Sequence, residues 1–171
     1  FVEENIMGGL RNGIDVIVVG EGEETIKELL YAFEGKRGKN EIAGIAYLDH
    51  GQWAQTQMRE PLADFDQLPL PDFSLVRYAK LQIYPVGRVR GCGMDCEFCT
   101  VKGKARYAHP ERLMEQFASL YETRGAKRFF IVDDLFGQDR PETLRLCQML
   151  KEYQRTVKKR FKITVQIRLD K

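Results

Sequence analysis

The sequence predicts an α/β protein, the closing part of a doubly wound unit followed by the opening half of a parallel strand–helix series. Three observations lead there. Strand-length apolar runs, among them Val16-Ile17-Val18-Val19 and Phe129-Phe130-Ile131-Val132, alternate with helix-length stretches that are apolar on one side only. Turn-forming glycines stand between these stretches, at Gly20, Gly22, Gly35 and Gly125. A proline-dense stretch, Pro61 to Asp72, separates the front of the chain from the back.

Each element has its own justification. Val16 to Val19 suits a strand buried on both faces. It passes through Gly20-Glu21-Gly22-Glu23 into a helix with Ile26, Leu29, Leu30 and Phe33 on one face, ending near Gly35. Ile42 to Leu48 and Trp53 to Met58 read as a hairpin around Asp49-His50-Gly51-Gln52. Pro61, Pro69 and Pro71 favour an extended connector. The boundaries follow: 1–60 closes a first domain, 61–80 is the linker, and 81–171 opens a second domain. In that second part a strand over Pro85 to Arg90 runs into a group of cysteines. A helix from about Pro110 to Arg124 follows, with Leu113, Phe117, Leu120 and Tyr121 at core spacing. Arg128 to Asp133 is the second strand. Asp139 and Glu142 form a capping pair for a helix that buries Leu144, Cys147, Leu150 and Tyr153. Lys162 to Leu169 is the third strand. Such a series gives a parallel sheet with right-handed crossovers, whose ligands sit at the C-terminal strand ends.

Composition excludes several classes. With 43% hydrophobic and 30% charged residues, the 171-residue chain can bury a core. Its apolar runs are far shorter than a membrane span. A net charge of +2 gives no general argument for nucleic-acid or membrane-surface binding. The basic run Arg155, Lys158, Lys159, Arg160 and Lys162 reads as a solvated helix end. Four cysteines, three of them clustered, indicate metal ligation in a reducing compartment, with the cytoplasm as default. Neither a signal peptide nor a lipidation motif is visible, and the chain reads as a segment of a longer polypeptide.

Cys92, Cys96 and Cys99 carry the chemistry. Their spacing, Cys-x3-Cys-x2-Cys, gives three soft thiolates to one site on one short loop, with no fourth nearby. That set suits a cubane iron–sulfur cluster with one iron left open for a substrate. The alternatives are a Cys3His zinc knuckle using His109, or an electron carrier recruiting Cys147. His109 directly precedes Pro110, so helix entry is its simpler role. Cys147 lies on an apolar helix face, which makes it core. Asp133 and Asp134 end the second strand; strand alternation sends them to opposite faces, so one of them faces the ligand end. Gln166 and Arg168 share a face of the third strand by the same period. Lys102, Lys104 and Arg106 follow the cysteines and suit an anionic cofactor, an electron donor or a wet loop.

The cysteine motif on the loop after the first strand of a βα series resembles the signature of the radical S-adenosylmethionine enzymes. The resemblance implies a [4Fe–4S] cluster on Cys92, Cys96 and Cys99, with S-adenosylmethionine chelating the fourth iron and being cleaved reductively. It further implies Phe98 near the adenine and Asp133 or Asp134 at the amino group; on their shared strand face Gln166 and Arg168 turn toward that ligand, unless Arg168 is solvated at the strand end. Gly20-Glu21-Gly22-Glu23-Glu24-Thr25, Gly44-Ile45-Ala46-Tyr47 and Asp66-Gln67-Leu68-Pro69-Leu70-Pro71-Asp72 are similar to members carrying a cobalamin-binding domain in front. The fold implied is the C-terminal end of a doubly wound cobalamin-binding-like domain, then the first half of a radical S-adenosylmethionine (β/α) partial barrel. Gly20 to Glu23 would face the corrinoid, although the Asp-x-His-x-x-Gly cobalt-ligand motif is absent. The implied activity is cobalamin-dependent methyl transfer or a radical rearrangement on a small-molecule or lipid-like substrate. A flavodoxin- or ferredoxin-type donor would supply electrons. The alternatives are a methylthiotransferase-like enzyme and a non-catalytic zinc or iron–sulfur module.

Overall fold

A computed structural model describes residues 8–101 and 103–168. The chain divides into two compact units, Phe1–Ala63 and Asp64–Lys171.

The first unit is a three-stranded antiparallel sheet with one helix. Strand β1 (Val16–Val18) pairs with β2 (Ile45–Asp49), and β2 pairs with β3 (Gln52–Gln55). The run at Val16 is therefore an edge strand, and it is half-buried rather than enclosed on both faces. The register sets Asp49 against Gln52, which leaves His50 and Gly51 as a two-residue turn. Both have positive φ, 47° and 81°, the conformation that matches the twist of a hairpin. Helix α1 (Glu23–Phe33) packs Leu29 onto Ile42, Ile45 and Tyr47. Its expected wide apolar face narrows to Leu29, since Ile26, Leu30 and Phe33 are exposed. Gly35, with φ 73°, ends the helix as its position implied.

The second unit has the expected parallel sheet. Strand β4 (Tyr84–Val86) pairs with the later strand β7 (Arg128–Ile131), and β7 with β8 (Lys162–Thr164), all parallel and in chain order. Helix α2 (Pro110–Arg124) starts on a proline and stops at Gly125, which is left-handed at φ 63°. Helix α3 (Arg140–Thr156) is capped by Asp139, whose carboxylate accepts the Glu142 N–H at 3.4 Å. Between them they cover the sheet with Leu113, Phe117, Leu120 and Leu146. Phe117 meets Phe129 edge to face at 4.7 Å, and Phe161 closes the same aromatic group.

The face of α3 is rotated from the sequence reading. Thr143 and Leu146 are buried, whereas Leu144 is 61% exposed and Cys147 is also exposed. The described strands are also shorter than anticipated: β4 stops at Val86, β7 at Ile131 and β8 at Thr164. Leu169, the expected end of the third strand, lies outside the described residues.

Candidate metal centre

The cysteines sit on a loop whose base is closed by a small ladder. After β4 the chain turns at Gly87-Arg88 into β5 (Val89–Arg90), which pairs antiparallel with β6 (Arg106–Tyr107). The Ala108 N–H extends this closure by donating to the Arg88 carbonyl at 2.7 Å. Residues 91–105 are thus one excursion held at its neck. Two glycines allow its limbs to approach. Gly91 has φ 78°, and a Cβ there would come within 2.9 Å of the Lys104 carbonyl oxygen. Gly93 donates its N–H to Gly103 at 3.0 Å.

The segment after β7 grips the rising limb of that loop. Asp133 Oδ1 accepts from the backbone N–H groups of Arg88 at 2.8 Å and Val89 at 3.0 Å. The Asp134 carboxylate accepts from Gly91 at 3.1 Å. The Gln138 amide donates to the Cys92 carbonyl at 2.7 Å. Both aspartates lie beyond the last residue of β7, so strand alternation does not separate them, and both turn to the same backbone. On the other side, Gln116 of α2 accepts from Gly87 N–H at 3.0 Å and donates to the Gly87 carbonyl at 2.8 Å.

Asp133 is 1% exposed, and its second oxygen has no hydrogen-bond partner. Burial raises its pKa; the two backbone hydrogen bonds and Arg88 oppose the shift, and Asp134 adds to it. Arg88 is itself 3% exposed, donates to the Ala108 carbonyl at 3.0 Å, and lies 5.4 Å from the Tyr107 ring centre.

All three clustered cysteines are half-buried, and none of the four cysteines is in a disulfide. The Cys99 N–H donates to the Cys96 carbonyl at 3.1 Å, a turn that places the last two cysteines on the same bend. Among the described residues, no three His, Cys, Asp or Glu side chains form a group suited to one metal ion. Phe98 projects into solvent at 92% exposure. The Gln166 side chain is exposed while its carbonyl accepts from Phe136 at 2.8 Å. Arg168 reaches the loop, its Nη1 lying 3.6 Å from the Met94 sulfur. His109 serves helix entry, donating its N–H to Asp66 at 2.9 Å with its ring largely exposed. Lys102 lies outside the described residues.

In the first unit, Gly20 has φ 88° and Gly22 caps α1, so the turn into the helix needs the first glycine. Glu21 accepts from the Leu62 N–H at 2.7 Å, and Glu23 opens the helix. Sequence reasoning missed Gln116 and Gln138. A glutamine carries no motif, and the one signal for Gln138 was its place directly before the capping Asp139.

Comparison with known proteins bears on this arrangement. No protein-family model matches the chain. An uncharacterized methyltransferase of Pyrococcus horikoshii is 30% identical over 148 residues, covering 81% of this chain and 32% of that protein. The cobalamin-dependent S-adenosylmethionine radical enzyme OxsB superposes with a TM-score of 0.76 at 21% identity, covering 99% of this chain and 25% of its own. The proteins similar to this chain thus include a methyltransferase and solved cobalamin-dependent radical S-adenosylmethionine enzymes. The radical S-adenosylmethionine methyltransferase TsrM of Kitasatospora setae, solved with cobalamin and a [4Fe–4S] cluster bound, superposes at TM-score 0.65 and 14% identity, covering 89% of this chain and 32% of TsrM. The chain thus spans about a third or less of the proteins it matches. The donor set fits a [4Fe–4S] cluster. Three thiols outside any disulfide share one loop, and a cubane gives each thiolate its own iron, so three need not converge on one ion.

Proposed function

We propose that this chain is the cluster-bearing part of a cobalamin-dependent radical S-adenosylmethionine enzyme that transfers a methyl group or drives a radical rearrangement. One observation carries the reading: three half-buried thiols stand on a loop closed at its neck and held from the side by the segment after β7. Cys92, Cys96 and Cys99 would hold a [4Fe–4S] cluster with one iron left open to S-adenosylmethionine. When bound, that pair of cofactors supplies the electron transfer that breaks a carbon–sulfur bond.

The chain's own residues divide the remaining work. Asp133 is enclosed and committed to the loop's backbone, so the exposed Asp134 is the carboxylate a ligand's amino group can reach. Phe98 offers an uncovered ring to adenine. Gln166 and Arg168, beyond the end of β8, would line the approach, and Arg168 already touches the loop at Met94. In the first unit, Gly20 to Glu23 form the turn assigned to a corrinoid. Residues 1–60 belong to that front domain, 61–80 to the linker and 81–171 to the barrel's first half. Among the described residues no helix is long and apolar enough to cross a membrane. The reading places the protein in the cytoplasm with a flavodoxin- or ferredoxin-type donor, acting on a small-molecule or lipid-like substrate.

The test is anaerobic reconstitution with iron and sulfide. About four of each per chain are expected, as one [4Fe–4S] cluster requires. S-adenosylmethionine should then change the EPR spectrum of the reduced cluster. Zinc without iron would replace this reading with a zinc-binding module, and an unchanged spectrum would remove the open iron.

A further inference from the structure

Cys92 is fixed on every side by bonds from outside its own turn. The residue before it donates to Asp134, its own carbonyl accepts from Gln138, and the residue after it donates to Gly103. Gln138 achieves this by lying over Gly93, where a Cβ would come within 3.3 Å of its amide nitrogen. The position therefore combines a donor of the right reach with a glycine that admits it. Gln138 is in turn set by the chain around it. Asp139 caps α3, and Phe136 donates to the Gln166 carbonyl just beyond the end of β8.

The geometry points to Gln138 as a positioning residue that presets Cys92 before metal arrives and ties its placement to the end of β8. The segment from Asp134 to Asp139 is then a brace between two parts of one site, the cluster loop on one side and the cofactor-facing strand end on the other. Gln138 touches neither iron nor ligand; it acts through the Cys92 carbonyl. The significance of this brace rests on the cluster reading above, but its test does not.

The experiment compares Gln138→Glu and Gln138→Lys with wild type in the intact, metal-free chain. Glutamate matches glutamine in shape but has no N–H at neutral pH, whereas lysine retains a donor. Each protein is alkylated under reducing, denaturant-free conditions, and the rate at each cysteine is read by site-resolved mass spectrometry. In Gln138→Glu the Cys92 rate should rise about fivefold, the release expected from one lost net hydrogen bond, with Cys96, Cys99 and Cys147 unchanged. Gln138→Lys should restore the wild-type rate. Equal acceleration at all three loop cysteines, or no change at Cys92, overturns the assignment. On reconstitution, the EPR line shape of reduced Gln138→Glu should differ from wild type and that of Gln138→Lys should not; identical spectra would also overturn it. A wild-type chain that takes up no iron sinks the cluster reading, while the alkylation rates still decide the role of Gln138.

Discussion

Asp133 shows how one residue can serve a site without meeting its ligand. Its carboxyl is buried beneath the neck of the cysteine loop, with one oxygen shared by two backbone N–H groups. Burial holds its pKa above the ordinary carboxyl value, so the folded chain binds that proton more tightly than the unfolded one. The stability from that proton is complete below the unfolded value of about 3.9 and is lost as pH rises through the folded value. Asp133→Asn keeps an acceptor for the Arg88 and Val89 amides but never ionises. Relative to wild type it should gain stability progressively from acid toward neutral pH, as followed by urea denaturation. Asp133→Ala strands both donors and should lose about 1–3 kcal/mol at any pH. Failure of the Asn variant to gain on wild type with rising pH would mean that the carboxyl is not destabilised by charge.

At the scale of elements, the loop's neck and the helix faces decide how the site is presented. Gly91→Ala forces a Cβ against the Lys104 carbonyl at a positive φ, and it should cost about 1–3 kcal/mol through backbone strain. Hydrogen exchange should localise that loss to β5 and β6. The helices, the parallel pairing and the cysteine motif were legible in the sequence because each has a period, a cap or a spacing. The rotation of α3 was not. Leu150 belongs to either of two apolar tracks, one through Leu144 and Cys147, the other through Thr143 and Leu146. A tertiary contact goes with the second: Arg145 pairs with Glu111 of α2 and with Glu142 on its own helix. The short strands were overread for a related reason. Apolar residues continue past the strand ends, at Val132, which still donates its N–H to Val86 but is exposed, and at Val165, which packs against the second core. The grip on the cysteine loop was hidden as well, since it uses side chains bonding to backbone, and backbone carries no sequence signal.

Across the whole molecule, the two units hold separate cores, around Leu29 and Ile45 in the first and around Phe117 and Phe129 in the second. From Asp64 onward, the stretch rich in proline packs with the second unit. Phe65 is 8% exposed beneath Arg90 and Arg106, Asp66 receives the His109 N–H, and the Leu68 carbonyl receives Arg112. Phe65→Ala should therefore cost the second unit about 3 kcal/mol. Trp53, the chain's single tryptophan and part of β3, reports the first unit. Its fluorescence transition in urea should stay in place while the circular-dichroism transition shifts, and a joint shift would refute independent cores. Gln116 has an effect on the same scale. Its amide engages both polar groups of Gly87, as a neighbouring strand would, where β4 hands over to the cysteine loop. The first edge of the parallel sheet is thereby closed, at the point where it leads to the thiols, to pairing with another chain.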